Sequence, residues 1–106
     1  MSSKETLEEA EALLIIGKFK GANNRAYYAI FHSLWSVLAL DGLDSRKHSG
    51  VISMFNEHYI KTKIFPSNYG KIVANASAIR NNSDYDDFYI ATKEQAQKQV
   101  EDSKLF

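Results

Sequence analysis

The sequence predicts an all-α fold from two observations. Apolar residues recur at spacings of three and four in several segments, whereas alternation with period two is never sustained. The 106 residues are 44% hydrophobic and include six Tyr, six Phe and one Trp, which is enough for a single core. We therefore expect one domain over residues 1–106, an up-and-down antiparallel four-helix bundle with a short fifth C-terminal helix against it.

Turn residues set the expected bounds of the helices. Gly17 to Gly21 is the predicted turn after the first helix, Asp41-Gly42 ends the second, and Pro66 lies in the loop after the third. In chain order the helices cover about residues 4–17, 22–41, 48–63, 68–82 and 92–106. Capping-box pairs are Ser2 with Glu5 or Thr6 with Glu9 in the first helix, and Thr92 with Gln95 in the last.

Each of the first four helices has an apolar stripe that we expect to face the core. The second helix is the most apolar, and its stripe is flanked by Trp35 and Tyr28. In chain order the stripes are Leu7, Ala10, Leu13 and Leu14; Tyr27, Phe31, Leu34 and Leu38; Val51, Ile52, Phe55 and Tyr59; and Tyr69, Ile72, Val73, Ala76 and Ile79.

Composition excludes several classes of function. The chain has no cysteine, so disulfides and zinc–thiolate sites are ruled out, and the N-terminus is acidic with only a short apolar run. We expect a cytoplasmic protein without a membrane span. The net charge is zero, yet residues 18–80 hold nine Lys or Arg against three acidic residues, a local balance of +6. That distribution indicates either a basic surface on the middle helices or merely solvated helix faces.

Two helices carry polar groups where packing is expected. On the second helix a stripe of Arg25, Ala29, His32 and Ser36 lies roughly opposite the core stripe. It fits a polar seam or the solvent side, and it also fits a subunit interface or a site lining.

Arg80 falls on the apolar face of the fourth helix, beside Ile72, Val73 and Ala76. It can extend outward at the edge of the bundle, satisfy carbonyls at the helix C-terminus, or bind a carboxylate or phosphate. Asp84, four residues later, is positioned to pair with it.

Stronger catalytic motifs are absent from the sequence. There is no Gly-rich phosphate loop, no His-Glu-x-x-His and no Gly-x-Ser-x-Gly. The three histidines, His32, His48 and His58, fall on separate segments. We therefore expect no metal site and no cofactor.

The segments NRAYYAIFHSLWSVLALDGL, KHSGVISMFNEHYIKT and RNNSDYDDF, followed by a capped helix, together resemble the HEPN domain, and specifically small prokaryotic HEPN proteins. The resemblance implies a helical bundle that dimerises around a cleft. Many such proteins are metal-independent ribonucleases, others pair with a minimal nucleotidyltransferase antitoxin, and others bind nucleotides or RNA without cutting. The family's ribonuclease motif is Arg, four to six residues, then His. Arg80 matches the arginine, but Tyr85 stands where the histidine is expected.

A tyrosine with an ordinary pKa of about 10 is a poor base at neutral pH, whereas an arginine still stabilises phosphate charge. The resemblance therefore favours a homodimeric protein that binds RNA or nucleotide phosphates, paired with a nucleotidyltransferase. The alternatives are a divergent endoribonuclease, with Tyr85 or a histidine from the neighbouring subunit as proton donor, and a non-catalytic scaffold that holds a partner protein. The predicted catalytic cluster is Arg80, Asp84 and Tyr85, and the predicted binding residues are Arg25, His32, Ser36, Lys47 and His48.

Overall fold

Helices form the regular structure of this protein. The computed structural model describes the backbone of residues 3–43, 48–85 and 90–106, and the side chains of residues 4–43, 49–82 and 90–106. Within these ranges no strand occurs, which confirms the all-α class. The elements are α1 Ser3–Ile15, α2 Phe19–Leu40, α3 His48–Phe55, a π segment Asn56–Ile60, α4 Ser67–Tyr85 and α5 Lys93–Ser103. Their up-and-down order stays a prediction.

The second helix, α2, lies at the centre of the fold and contacts α1, α3, α4 and α5. It separates two apolar clusters. The larger cluster joins α2 to α3, the π segment and α4, and its buried side chains include Phe31, Leu34 and Phe55. The smaller cluster joins α2 to α1 and α5. Because α2 is buried along two sides, its apolar surface is wider than a single stripe.

The small cluster brings α1, α2 and α5 close together because its buried residues are mostly alanines. They are Ala10, Ala22, Ala26, Ala96 and Val100. The predicted turn over residues 17–21 is too long. Gly17 takes a left-handed φ of 80° and ends the turn region early, and α2 begins at Phe19. Gly21 lies inside α2, where an added Cβ would stand 3.2 Å from Leu13 Cδ1.

The predicted core stripes are confirmed with one correction. Tyr27, Phe31, Leu34 and Leu38 are all buried, as are most of the stripes on α3 and α4. Trp35, expected beside the core, is 44% exposed. It lies at the rim of the packed face of α2, and only part of its side chain is covered.

The third helix does not continue as a regular α-helix to Lys63. After Phe55 it widens into the π segment, where Lys61 N donates to Asn56 O at 2.9 Å, a bond across five residues. The helical run stops before Lys63, whose φ of 63° is left-handed. Pro66 follows in the loop, as predicted, immediately before α4.

The predicted caps are only partly correct. Thr6 lies inside α1 and is fully buried, so it does not cap that helix, and Ser2 lies outside the described residues. Thr92 does cap α5, because its hydroxyl accepts a hydrogen bond from Gln95 N at 3.1 Å. The Gln95 side chain, however, accepts from Asn23 Nδ2 on α2 at 3.5 Å. It therefore contributes to packing between helices.

Candidate functional site

The guanidinium of Arg80 lies between α4 and α2. Its Nη2 donates to the Tyr28 hydroxyl oxygen at 3.2 Å. Its Cζ stands 4.9 Å from the Tyr27 ring centroid and 5.3 Å from the Tyr28 ring centroid. Arg80 thus lies on the packed face of α4, as the helical projection predicts, and its guanidinium is half-buried against aromatic rings. Arg80 therefore lies at the edge of the core, where it contacts two tyrosine side chains. Its binding of a carboxylate or phosphate stays a prediction.

Two consecutive tyrosines build this setting. Neighbouring residues on a helix point about 100° apart, so Tyr27 enters the core while Tyr28 stays at its edge. Their rings meet edge to face, with centroids 5.5 Å apart and planes at 80°. A cation over such faces is stabilised by about 0.5–2 kcal/mol per contact. The two tyrosine rings therefore hold the Arg80 guanidinium in place.

Arg25 approaches the same ring from one turn earlier on α2. Its Cζ lies 5.8 Å from the Tyr28 centroid. Its Nη1 is also 3.9 Å from Glu9 Oε2 on α1, a long and partly exposed ion pair of the kind that contributes little. Two guanidinium groups from different helices therefore contact one tyrosine ring.

His32 continues this line one turn after Tyr28. The two ring centroids are 6.3 Å apart with planes at 33°, and the imidazole is half-buried. Ser36, one turn further, is exposed, and its hydroxyl donates to the His32 carbonyl at 2.9 Å. That bond is local to the helix backbone.

We define the Arg80 cluster as Arg25, Tyr27, Tyr28, His32 and Arg80. Arginine forks bind phosphate or carboxylate oxygens in pairs of hydrogen bonds, and a phenol both accepts and donates. An imidazole adds ring nitrogens that can donate or accept a hydrogen bond. The arrangement is chemically suited to an anion. In the part of the chain that the structure describes, no three His, Asp or Glu side chains are grouped to hold a metal ion.

Known proteins identify the family to which this helical fold belongs. The family model of the HEPN domain matches residues 2–106. The chain belongs to the HEPN domain family. The resemblance carried by the residues of α2, α3 and α4 is thereby confirmed.

Relatives of this HEPN protein come from archaea and bacteria. It is 39% identical over 74 residues to a UPF0332 protein of Pyrococcus horikoshii, covering 70% of this chain and 52% of that protein. It is 32% identical over 104 residues to a Methanocaldococcus jannaschii protein named "Putative toxin", and the match covers 98% of this chain and 77% of that protein. A UPF0332 protein of Thermotoga maritima is 35% identical over 83 residues, and the match covers 78% of this chain and 63% of that protein. The chain thus spans about half to three quarters of these relatives' length.

The structure of the HEPN domain describes only part of the predicted site. Arg25, His32 and Arg80 come together around Tyr28, while Ser36 lies beyond His32 on the same helix. The side chains of Asp84, Tyr85 and His48, and the whole of Lys47, lie outside the described residues. Their roles, and the pairing of Asp84 with Arg80, stay predictions.

Tyr28, the central residue of the Arg80 cluster, is not among the residues predicted for the site. In the sequence, Tyr28 flanks the core stripe of the second helix. Its spacing offers a signal, because it stands three residues after Arg25 and four before His32, on the same side of one helix. What spacing does not reveal is that Arg80 of α4 donates to its hydroxyl.

Among the described residues, no helix is long and apolar enough to pass through a membrane.

Proposed function

We propose that this HEPN protein is a homodimer that binds RNA or nucleotide phosphates through the Arg80 cluster. The observation that carries the proposal is the pair of guanidinium groups, Arg80 and Arg25, whose Cζ atoms lie 5.3 Å and 5.8 Å from the Tyr28 ring centroid, respectively. Like charges gathered at one place attract an anion. The fixed Arg80 fork lowers the entropy that binding costs.

The basic centre of the chain supports the same proposal. Residues 18–80 carry a balance of +6 although the whole chain is neutral. The described part of this segment includes α2 and most of α4 up to Arg80, which are the helices that build the cluster. A nucleic acid with its regularly spaced phosphates is attracted by such a local excess even when the net charge is zero.

The proposed biological setting is a toxin–antitoxin pair. Two Methanocaldococcus jannaschii relatives, 32% and 28% identical to this chain, are named "Putative toxin". The family resemblance implies a minimal nucleotidyltransferase as the antitoxin. A gene for such an enzyme beside the gene for this chain is the expected observation. Co-purification of the two proteins after joint expression tests the pairing directly.

Replacing Arg80 by alanine tests phosphate binding. Fluorescence anisotropy with labelled single-stranded RNA should show affinity lowered about tenfold or more in Arg80→Ala, since a charge-assisted hydrogen bond contributes about 1.5–3 kcal/mol. Arg80→Lys keeps the charge but loses the planar fork, so an intermediate affinity is expected.

Lys71→Ala is the matched control for that experiment. Lys71 lies exposed on the same helix, so the variant removes one positive charge from α4 outside the cluster. Its affinity should stay within about twofold of wild type, because a lone exposed charge contributes little. If folded Arg80→Ala bound RNA and nucleotides as tightly as wild type, Arg80 and Tyr28 would form a structural contact only.

The position of His32 favours a second candidate, a divergent metal-independent ribonuclease. In that candidate Arg80 stabilises charge on the phosphate, and Tyr85 or a histidine transfers the proton. His32 stands in the Arg80 cluster of its own chain, beside Tyr28. RNA incubated with wild type and a chelator would then yield fragments that disappear with Arg80→Ala. Fragments that persist in the variant would indicate a contaminating nuclease.

A further inference from the structure

Trp35 continues the line of the Arg80 cluster along α2. Residues 25, 28, 32 and 35 follow at spacings of three and four, so they share one side of the helix. Trp35 is 44% exposed, whereas large aromatic side chains are mostly buried. The ring contacts that connect it to the cluster are Trp35 with Phe31 at 5.8 Å, Phe31 with His32 at 6.3 Å, and His32 with Tyr28 at 6.3 Å.

We propose that Trp35 is the stacking platform for an unpaired base of single-stranded RNA. The inference rests on the proposed function, since the phosphates of the same strand would lie at Arg25 and Arg80. Sites for single strands combine cationic groups that follow the backbone with aromatic side chains that stack the bases. The α2 face offers both within one continuous row, and its positive charge complements a nucleic acid better than an apolar protein segment.

The distance between the arginines at Tyr28 and the indole of Trp35 points to a strand longer than one nucleotide. Tyr28 and Trp35 are seven residues apart, which is about 10 Å along a helix axis. A stacked strand advances about 3.4 Å per nucleotide. The distance from the arginines to the indole therefore corresponds to about three nucleotides. The ligand class is an oligonucleotide segment, and a mononucleotide is too short to occupy both parts.

The single tryptophan makes this inference directly measurable. Trp35 is the chain's only Trp, so tryptophan emission, excited where tyrosine does not absorb, reports on this position alone. Titration with oligoadenylates of two, four and six nucleotides should quench emission increasingly up to about four nucleotides and little beyond. Adenosine monophosphate at equal phosphate concentration should leave the emission nearly unchanged. An abasic strand of six units should bind weakly without quenching.

Variants separate stacking from phosphate binding. Trp35→Ala should bind hexa-adenylate about tenfold more weakly by anisotropy, and Trp35→Phe should recover most of the affinity because it restores an aromatic face. Circular dichroism checks that both variants keep their helices. Unchanged affinity in Trp35→Ala, together with weakened binding in Arg80→Ala, would overturn the stacking inference and leave the proposed function standing. Unchanged affinity in both variants would overturn both.

Two further outcomes would also overturn the inference. Quenching by adenosine monophosphate as strong as by hexa-adenylate would mean that one nucleotide covers Trp35, which contradicts the strand. A shift of emission on dilution of the protein without RNA would place Trp35 at an interface between copies of the chain. Emission that is constant on dilution and quenched only by oligonucleotides is the expected result.

Discussion

At the scale of single residues, the Tyr59 hydroxyl ties the end of α2 to the π segment. Tyr59 is buried, and its hydroxyl donates toward Val37 O at 3.2 Å and toward the Asp41 carboxylate. The hydrogen bond to Asp41, burial and the nearby negative charge raise the pKa of Tyr59 to about 12. Tyr59 is one of the five residues of the π segment, so the hydroxyl that contacts the end of α2 belongs to the widened turn.

Tyr59→Phe should lower the free energy of unfolding by about 1–2 kcal/mol at pH 7, because it removes a donor that serves a carboxylate. The matched control is Tyr69→Phe. The Tyr69 hydroxyl donates a longer, exposed hydrogen bond to Leu105 O at 3.4 Å. We expect that control to change stability by less than about 0.5 kcal/mol. Urea unfolding of the three proteins checks this.

The same tyrosine gives a pH dependence with a definite sign. A pKa of about 12 in the folded protein against the ordinary value of 10.0 means that folding favours the protonated phenol. The stabilisation is therefore complete below pH 10 and is lost as pH rises from 10 towards 12. The stability difference between wild type and Tyr59→Phe should narrow as the pH rises from 10 to about 12. A difference that widened over this range would contradict the assignment.

At the scale of elements, α2 owes its central position to two unlike faces. Large side chains such as Phe31 and Leu34 face α3 and α4, while Ala22 and Ala26 face α1 and α5. Small residues let helix axes approach closely, and Gly21 extends that small face towards Leu13. The Arg80 cluster and Trp35 lie between these faces, at the margin of the packed surface. The placement of the candidate site thus follows from how α2 is divided.

The start of α5 depends on its cap. Thr92→Ala should lower the free energy of unfolding by about 1 kcal/mol, because the Gln95 N–H loses its acceptor. Thr92→Ser is the control, and it should retain most of the stability since its hydroxyl reaches the same N–H. Thermal unfolding followed by circular dichroism measures both. Equal melting temperatures for Thr92→Ala and Thr92→Ser would show that the cap contributes nothing.

At the scale of the whole molecule, charge is distributed unevenly along a neutral chain. Residues 1–17 and 81–106 each carry a balance of −3, against +6 over residues 18–80. Acidic ends and a basic centre can attract each other between copies of the chain as well as attract a polyanion. This distribution, together with the family resemblance, favours an assembly of two chains.

We expect the isolated protein to be a dimer in solution. Light scattering at micromolar concentration should give twice the mass of one chain, and the value should be repeated across a tenfold dilution series. Measurements at low and high salt show how far charge holds the copies together, since exposed ion pairs weaken with ionic strength. A monomeric mass throughout would contradict the dimer and with it the cleft between subunits.

Local sequence patterns determine much of this molecule. Helical periodicity identifies the buried faces of α2 and α4, Gly17 and Pro66 mark loops, and the motifs on three helices identify the HEPN family. These features succeed because a spacing of three and four residues is a property of a single helix, independent of its neighbours. The side of α4 that carries Arg80 is predictable for the same reason.

The partners of those side chains are decided only by tertiary structure. That Arg80 donates to Tyr28, that Gln95 accepts from Asn23, and that Trp35 stays exposed all depend on how two helices meet. The π segment likewise arises where Tyr59 contacts the end of α2. Periodicity gives the direction of a side chain about its own axis, but the distance to a group on another helix depends on how the whole core packs.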